Sequence, residues 1–253
     1  NAADAELSLR LLTKYGMEDQ VVRLGSRLED FLTPDSSKLL LTAFFNEGKV
    51  TEFDRLWRRF STRFETDPEL MLYRQAWMAN WGPPATLQEG RNALVAARSN
   101  PKLRILALRL QVQVSYAMRD EATFAQVLRL LEEERETRLS DHAMHWMLMN
   151  ALGRRDQARE LAQNHQASPR SPAEVRVMVV ALNQLGLNEA AISFGEQQLK
   201  KFSFDAELWL LQAEGLTRLK KWDDLRTLAV GIRNELSLQG LLDGYSQYLE
   251  ALA

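Results

Sequence analysis

Helix-starting and helix-ending residues recur along this chain at an almost constant interval. Asp67-Pro68 and Asn100-Pro101 lie 33 residues apart, and Pro172, Asp205 and Leu238 follow one another at 33. Gly48 to Gly82 is 34, Gly153 to Gly186 is 33 and Gly186 to Lys220 is 34. One interval, Asn100 to Ser140, stretches to 40 and predicts extended helices in that unit. A period of about 34 residues is that of a stacked helix–turn–helix unit. Such a unit cannot cover its own apolar stripe, so its neighbours must.

Each unit reads alike. Asp or Asn followed by Pro, or a Ser-Asp or Ser-Pro pair, supplies an N-cap oxygen and a φ suited to the first helical turn. Apolar residues three and four apart then mark an amphipathic helix. A glycine closes it where positive φ carries little strain, and a second amphipathic helix follows. The predicted helices are 5–15 with 18–32, 36–47 with 50–65, 68–81 with 86–98, 102–118 with 121–136, 141–152 with 155–165, 173–185 with 188–202 and 206–219 with 222–235. A last helix over 238–252 has no partner and reads as a cap. Pro83-Pro84 is expected to lengthen one turn. No strand-type alternation is present, and no linker divides the chain.

These residues resemble the tetratricopeptide repeat (TPR) family. Trp209, Ala213 and Leu216 match the spacing of the family's first helix, and Trp222-Asp223-Asp224-Leu225, Ala229 and Ile232 its second. Leu41 and Phe44, then Phe53, Trp57 and Phe60, repeat the pattern, as do the turns at Gly153–Ala158 and Gly186–Ala191. The resemblance covers nearly the whole chain, although no unit matches in full. It implies an all-α fold: a right-handed α-solenoid of about seven TPR-like repeats, 5–32, 36–65, 68–98, 102–136, 141–165, 173–202 and 206–235, with the cap at 238–252, in a single domain 1–253. An irregular helical array is the alternative. In the stack Phe53, Trp57 and Phe60 are expected between neighbouring helices, with Ala158, Ala191 and Ala213 permitting close approach. The first helices then line a concave face.

Composition narrows the function. Lys+Arg and Asp+Glu number 32 and 34, so the chain lacks the electrostatic footprint of a nucleic-acid binder. The absence of cysteine excludes disulfides, thiolate catalysis and cysteine zinc sites. No apolar run approaches the ~18 residues of a membrane span. The chain opens on Asn1 rather than Met, which reads as a processed or trimmed product and favours an exported or tethered protein. The compartment stays open.

His142 and His145 share a helix face, and His165 is expected near them by repeat geometry. Three imidazoles can bind zinc, but no HExxH or partnering base accompanies them, and ordinary packing is the expectation. No metal or cofactor is expected. Trp57, Trp146, Trp209 and Trp222 read as core; of Trp77 and Trp81, one is expected to be exposed. Arg55, Arg58, Arg59 and Arg63 read as a solvated face, and so does Glu132-Glu133-Glu134. The family's carboxylate clamp of Lys, Arg and Asn is not supported: Lys38 fits its first Lys, but Thr42 and Tyr73 stand where Asn is expected. No GxGxxG, P-loop or nucleophile motif appears.

The leading expectation is a non-catalytic scaffold that binds a protein or peptide segment on the concave face. The residues placed there are Lys38, Thr42 and Phe45, then Arg176, Val180 and Asn183, then Leu210, Glu214 and Thr217. An accessory or assembly domain of a cell-envelope or secretion complex, self-association included, is the alternative. A metal-dependent enzyme on a helical scaffold stands third.

Overall fold

The computed structural model describes residues 2–14, 17–165 and 168–236. Among them no strand occurs. The helices are α1 (Ala2–Lys14), α2 (Glu18–Arg27), α3 (Pro34–Asn46), α4 (Val50–Phe64), α5 (Pro68–Trp81), α6 (Pro84–Ala97), α7 (Arg104–Ala117), α8 (Glu121–Glu133), α9 (Leu139–Ala151), α10 (Arg155–Asn164), α11 (Pro172–Gln184), α12 (Asn188–Leu199), α13 (Ala206–Arg218) and α14 (Trp222–Leu236), with a 3₁₀ turn at Glu29–Phe31. The expected capping helix at 238–252 lies outside the described residues. None of these helices is long and apolar enough to cross a membrane. The chain divides into two compact units, 1–137 and 138–253.

Helix starts follow the caps read from sequence. Asp67 accepts from the Glu69 and Leu70 amides, Ser171 from Glu174 and Asp205 from Leu208; Thr33, also followed by proline, accepts from Ser36. The unit at Ser140-Asp141 works differently. Its helix already begins at Leu139, and Asp141 reaches back to accept the Arg138 amide at 2.8 Å. Asn100-Pro101 starts no helix. The Asn100 side chain accepts the Lys102 amide, which makes a turn, and α7 begins at Arg104. The interval of 40 is therefore spent in the connections 98–103 and 134–138, not in longer helices.

One turn geometry closes pair after pair. The Lys49 amide donates to the Phe44 carbonyl, Asp120 to Ser115, Arg154 to Met149, Leu187 to Leu182 and Lys221 to Leu216. The preceding residue in each, Gly48, Arg119, Gly153, Gly186 or Lys220, has φ between 55° and 81°. This is the Schellman closure, which satisfies carbonyls left over at a helix end. The α5–α6 turn departs from it. Gly82 is extended, at φ −70° and ψ 170°, and Pro84 starts α6 at once because its ring already holds a helical φ. Pro83-Pro84 thus shortens this turn to 82–83 rather than lengthening it. Gly82 is needed for space instead: a Cβ there would meet the Met78 carbonyl oxygen at 2.6 Å.

Within the first unit α1, α3, α5 and α7 touch in order, each also packing on the helix that follows it. Within the second, α9, α11 and α13 do the same, with α10, α12 and α14 as their partners. The first core gathers Leu40, Leu41, Phe44, Phe53, Leu56, Leu70, Leu94 and Leu110. Each fully buried Leu or Phe contributes roughly 1.5–3 kcal/mol of transfer free energy. In the second unit Trp146, Val175, Val179, Leu208, Ala213, Leu216 and Ile232 are buried, and so are Ala158 and Ala191. Trp222 is not core. It is the first residue of α14 and is 38% exposed.

Candidate functional site

Two of the nine ridge residues are cations already engaged. In the first unit Lys38 Nζ lies 2.8 Å from Asp67 Oδ2 and 3.1 Å from Glu69 Oε2. In the second, Arg176 Nη1 lies 3.0 Å from both Asp205 Oδ2 and Glu207 Oε2. The separations along the chain are the same, 29 and 31 residues. Each aspartate uses Oδ1 to cap its own helix and Oδ2 to hold the cation of the preceding first helix. Burial opposes the charge on Asp67, but the Lys38 ammonium and the cap amides outweigh it and hold the carboxyl below its ordinary value. Burial likewise opposes the Lys38 charge, and Asp67 and Glu69 together raise its pKa. A polar cleft of about 480 Å3 surrounds this pair, with Asp35 and Arg63 in its wall.

Phe45 was expected on the open ridge and is instead buried. Its ring meets Phe53 edge-on at 6.1 Å, and Tyr73 and Trp81 edge-on at 5.4 Å. The reason is local: α3 carries Leu39, Leu40, Leu41, Ala43, Phe44 and Phe45, and a helix apolar on nearly all sides is enclosed. Thr42 is half-buried and donates to the Leu39 carbonyl. Trp77 and Trp81 are both half-buried. Phe53 stacks between Trp57 and Trp77 at 6.2 Å from each, and the Arg74 guanidinium lies over Trp77 at 4.3 Å while pairing with Asp54.

The remaining ridge residues are in the second unit. Val180 and Asn183 on α11 and Leu210 and Thr217 on α13 are half-buried, and Glu214 is exposed and paired with Arg218. Thr217 donates to the Ala213 carbonyl. Asn183 Oδ1 is buried without a hydrogen-bond partner. Behind α13, a separate cleft of about 530 Å3 runs along α12 and α14, with Leu199, Trp209, Leu216 and Leu228 in its wall.

Two of the three histidines converge. The His142 and His165 ring centroids are 4.4 Å apart, and Trp146 meets His165 edge-on at 5.3 Å. Burial first, and the neighbouring His142 second, hold His165 below its ordinary imidazole value. Among the described residues no group of three His, Asp or Glu side chains is arranged to hold a metal ion. The arginine run on α4 is a solvated face, with Arg55 on Glu29, Arg58 on Asp54 and Arg59 near Asp30.

The cap aspartates escaped the sequence reading as partners of Lys38 and Arg176. A signal for them exists: a cation followed 29 residues later by Asp-x-Glu, in Asp67-Pro68-Glu69 and Asp205-Ala206-Glu207. No protein-family model matches the chain, and no curated protein matches it in sequence.

Proposed function

We propose that this chain is a TPR-like right-handed α-solenoid that acts without catalysis, and that it binds a protein or peptide segment along its first helices. The order of contacts supports the reading. α9, α11 and α13 lie side by side, so Val180, Asn183, Leu210, Glu214 and Thr217 form adjacent ridges. Apolar Val180 and Leu210 offer contact area, while Asn183 and Glu214 can set direction by hydrogen bonds. The recognition surface is confined to the second unit's first helices, because Lys38 and Phe45 of the first unit serve the fold. Arg176 belongs to the ridge as a positioning cation held by Asp205 and Glu207.

Capture on the immobilised protein identifies the segment, whose affinity is then measured by titration. Leu210→Ala is expected to weaken it about tenfold, the loss of ~1.4 kcal/mol at a contact residue, and Glu214→Ala to weaken it further, while Arg58→Ala leaves it unchanged.

One observation favours the assembly reading as second. Leu7 and Leu11, one turn apart on α1, are 60% and 46% exposed, and Phe31 is 55% exposed. Leu7 and Leu11, four residues apart on one helix, give α1 an exposed apolar stripe that suits a fixed protein partner or a second copy. Full affinity in folded Leu210→Ala, with loss in Leu7→Ser/Leu11→Ser, transfers the function to this surface.

A further inference from the structure

A small cleft in the first unit carries more unsatisfied donors than a folded interior ordinarily keeps. It has a volume of about 160 Å3 and lies between α6, α7 and the start of α8. Arg91 of α6, Arg98 at the helix's C-terminal cap and Gln111 of α7 stand in its wall. Arg91 Nε, Arg98 Nε and Gln111 Nε2 are each buried without a hydrogen-bond partner. Gln111 as a residue is 5% exposed. Buried polar groups are nearly always partnered, because an unmade hydrogen bond costs about 1–3 kcal/mol. Three orphans in one wall, all of them donors, call for one acceptor.

The orientation of Gln111 is set by chemistry. Arg98 Nη2 donates to its Oε1, so the amide nitrogen must face the other way, and a flipped amide would set two donors against each other. The charge is only partly compensated as well. The one carboxylate in the wall, Asp120, faces Arg91 and accepts from Thr123. Among the described residues Arg98 has no acidic partner; the charged group beside it is Arg104, which pairs with Glu134. Burial and the Arg104 charge both work against the Arg98 cation.

We propose that this cleft is a binding site for a small oxyanion of the phosphate class, gripped by Arg98, Gln111 and Arg91. An acceptor-only anion matches the three orphan donors of Arg91, Arg98 and Gln111. Arg91 Nε, Arg98 Nε and Gln111 Nε2 hold no hydrogen bond that an anion would have to displace. The guanidinium fork of Arg98 fits two oxygens of a tetrahedral anion. The volume is below the ~300 Å3 of drug-sized pockets, which limits the ligand to a free anion or a phosphate group inserted from a larger molecule. The site involves none of the ridge residues and stands apart from segment binding.

The test is isothermal titration of the full chain with inorganic phosphate and, separately, with O-phosphoserine, at ionic strength matched with sodium chloride. Saturable 1:1 binding is expected. It should weaken by ten- to a hundredfold in Arg98→Gln, the loss of one charge-assisted contact of about 1.5–3 kcal/mol, and stay unchanged in Arg58→Gln on the solvated face of α4. Circular dichroism and melting check that each variant folds. Should Arg98→Gln fail to fold, Arg91→Gln carries the same comparison at a second orphan donor. Tighter binding of O-phosphoserine assigns the site to a phosphate carried on a side chain; equal or tighter binding of inorganic phosphate assigns it to the free ion. No saturable binding of either probe, or unchanged affinity in folded Arg98→Gln and Arg91→Gln, overturns the proposal.

Discussion

Arg176 and Asp205 join two successive first helices through a contact of 3.0 Å in which the aspartate side chain is only 2% exposed. Lys38 and Asp67 make the same contact in the first unit, but with side chains 36% and 29% exposed. Identical geometry in different dielectric surroundings should give different energies. Removing one partner of a buried pair strands the other charge at about 3–5 kcal/mol, whereas an exposed pair contributes about 0–1 kcal/mol. Arg176→Met is therefore expected to destabilise by about 3–5 kcal/mol in urea unfolding, and Lys38→Met by about 1 kcal/mol or less. Because Asn caps a helix as well as Asp does, Arg176→Met/Asp205→Asn should recover part of the loss. Equal costs at the two sites would show that burial does not govern them.

His165 sets a pH dependence whose sign follows from its depressed value. The folded protein resists the proton that the unfolded chain accepts at about pH 6.5. Between that pH and the lower folded value the unfolded chain binds more protons, so stability falls as the pH drops through this window and is fully present above it. Replacing His165 with Phe keeps a ring against Trp146 and removes the titration. Urea midpoints at pH 7.5 and 5 should therefore separate more in the parent than in His165→Phe. An equal separation would show that His165 does not set the dependence.

Phe53 and Trp222 test the packing directly. Phe53 is fully buried between two indoles, and truncating such a ring costs about 3–5 kcal/mol. Trp222→Ala, at a first-turn position that is 38% exposed, should cost distinctly less, about 1–2 kcal/mol. Chemical unfolding of the two variants decides the matter, and a large loss in Trp222→Ala would place that ring in a contact not described above.

The helices were legible because their ends are written locally. A cap oxygen at Asp67, Ser171 or Asp205 and a glycine at Gly48, Gly153 or Gly186 act within a turn of themselves. The positions that misled depend on residues one repeat away. Phe45 has the spacing of a surface ridge, and its ring is enclosed by Phe53 on its own pair together with Tyr73 and Trp81 on the next. Lys38 and Arg176 look like open cations until the cap 29 residues later is seen to have a spare carboxylate oxygen. The orphan donors of Arg98 and Gln111 were invisible for the same reason, since the cleft exists only where α6, α7 and α8 meet. Asn100-Pro101 misled in a different way: a competing local turn used the cap oxygen first.

Lys220 occupies, at φ 55°, the turn position that Gly153 occupies at φ 81°. A side chain at positive φ is strained by about 1–2 kcal/mol, because Cβ crowds the following carbonyl. Glycine removes that strain but loosens the unfolded chain by about 0.4–1 kcal/mol. The difference predicts that Lys220→Gly stabilises the protein by about 0.5–1 kcal/mol. The reverse change has a clean counterpart at Gly153, where an added Cβ would meet nothing within 4 Å. Gly153→Ala should therefore destabilise through the backbone alone, by about 1 kcal/mol. Both shifts are read from thermal melts or urea midpoints at fixed pH. A stability loss in Lys220→Gly as large as that in Gly153→Ala would mean that the Lys220 side chain makes contacts in the folded state that outweigh its backbone strain.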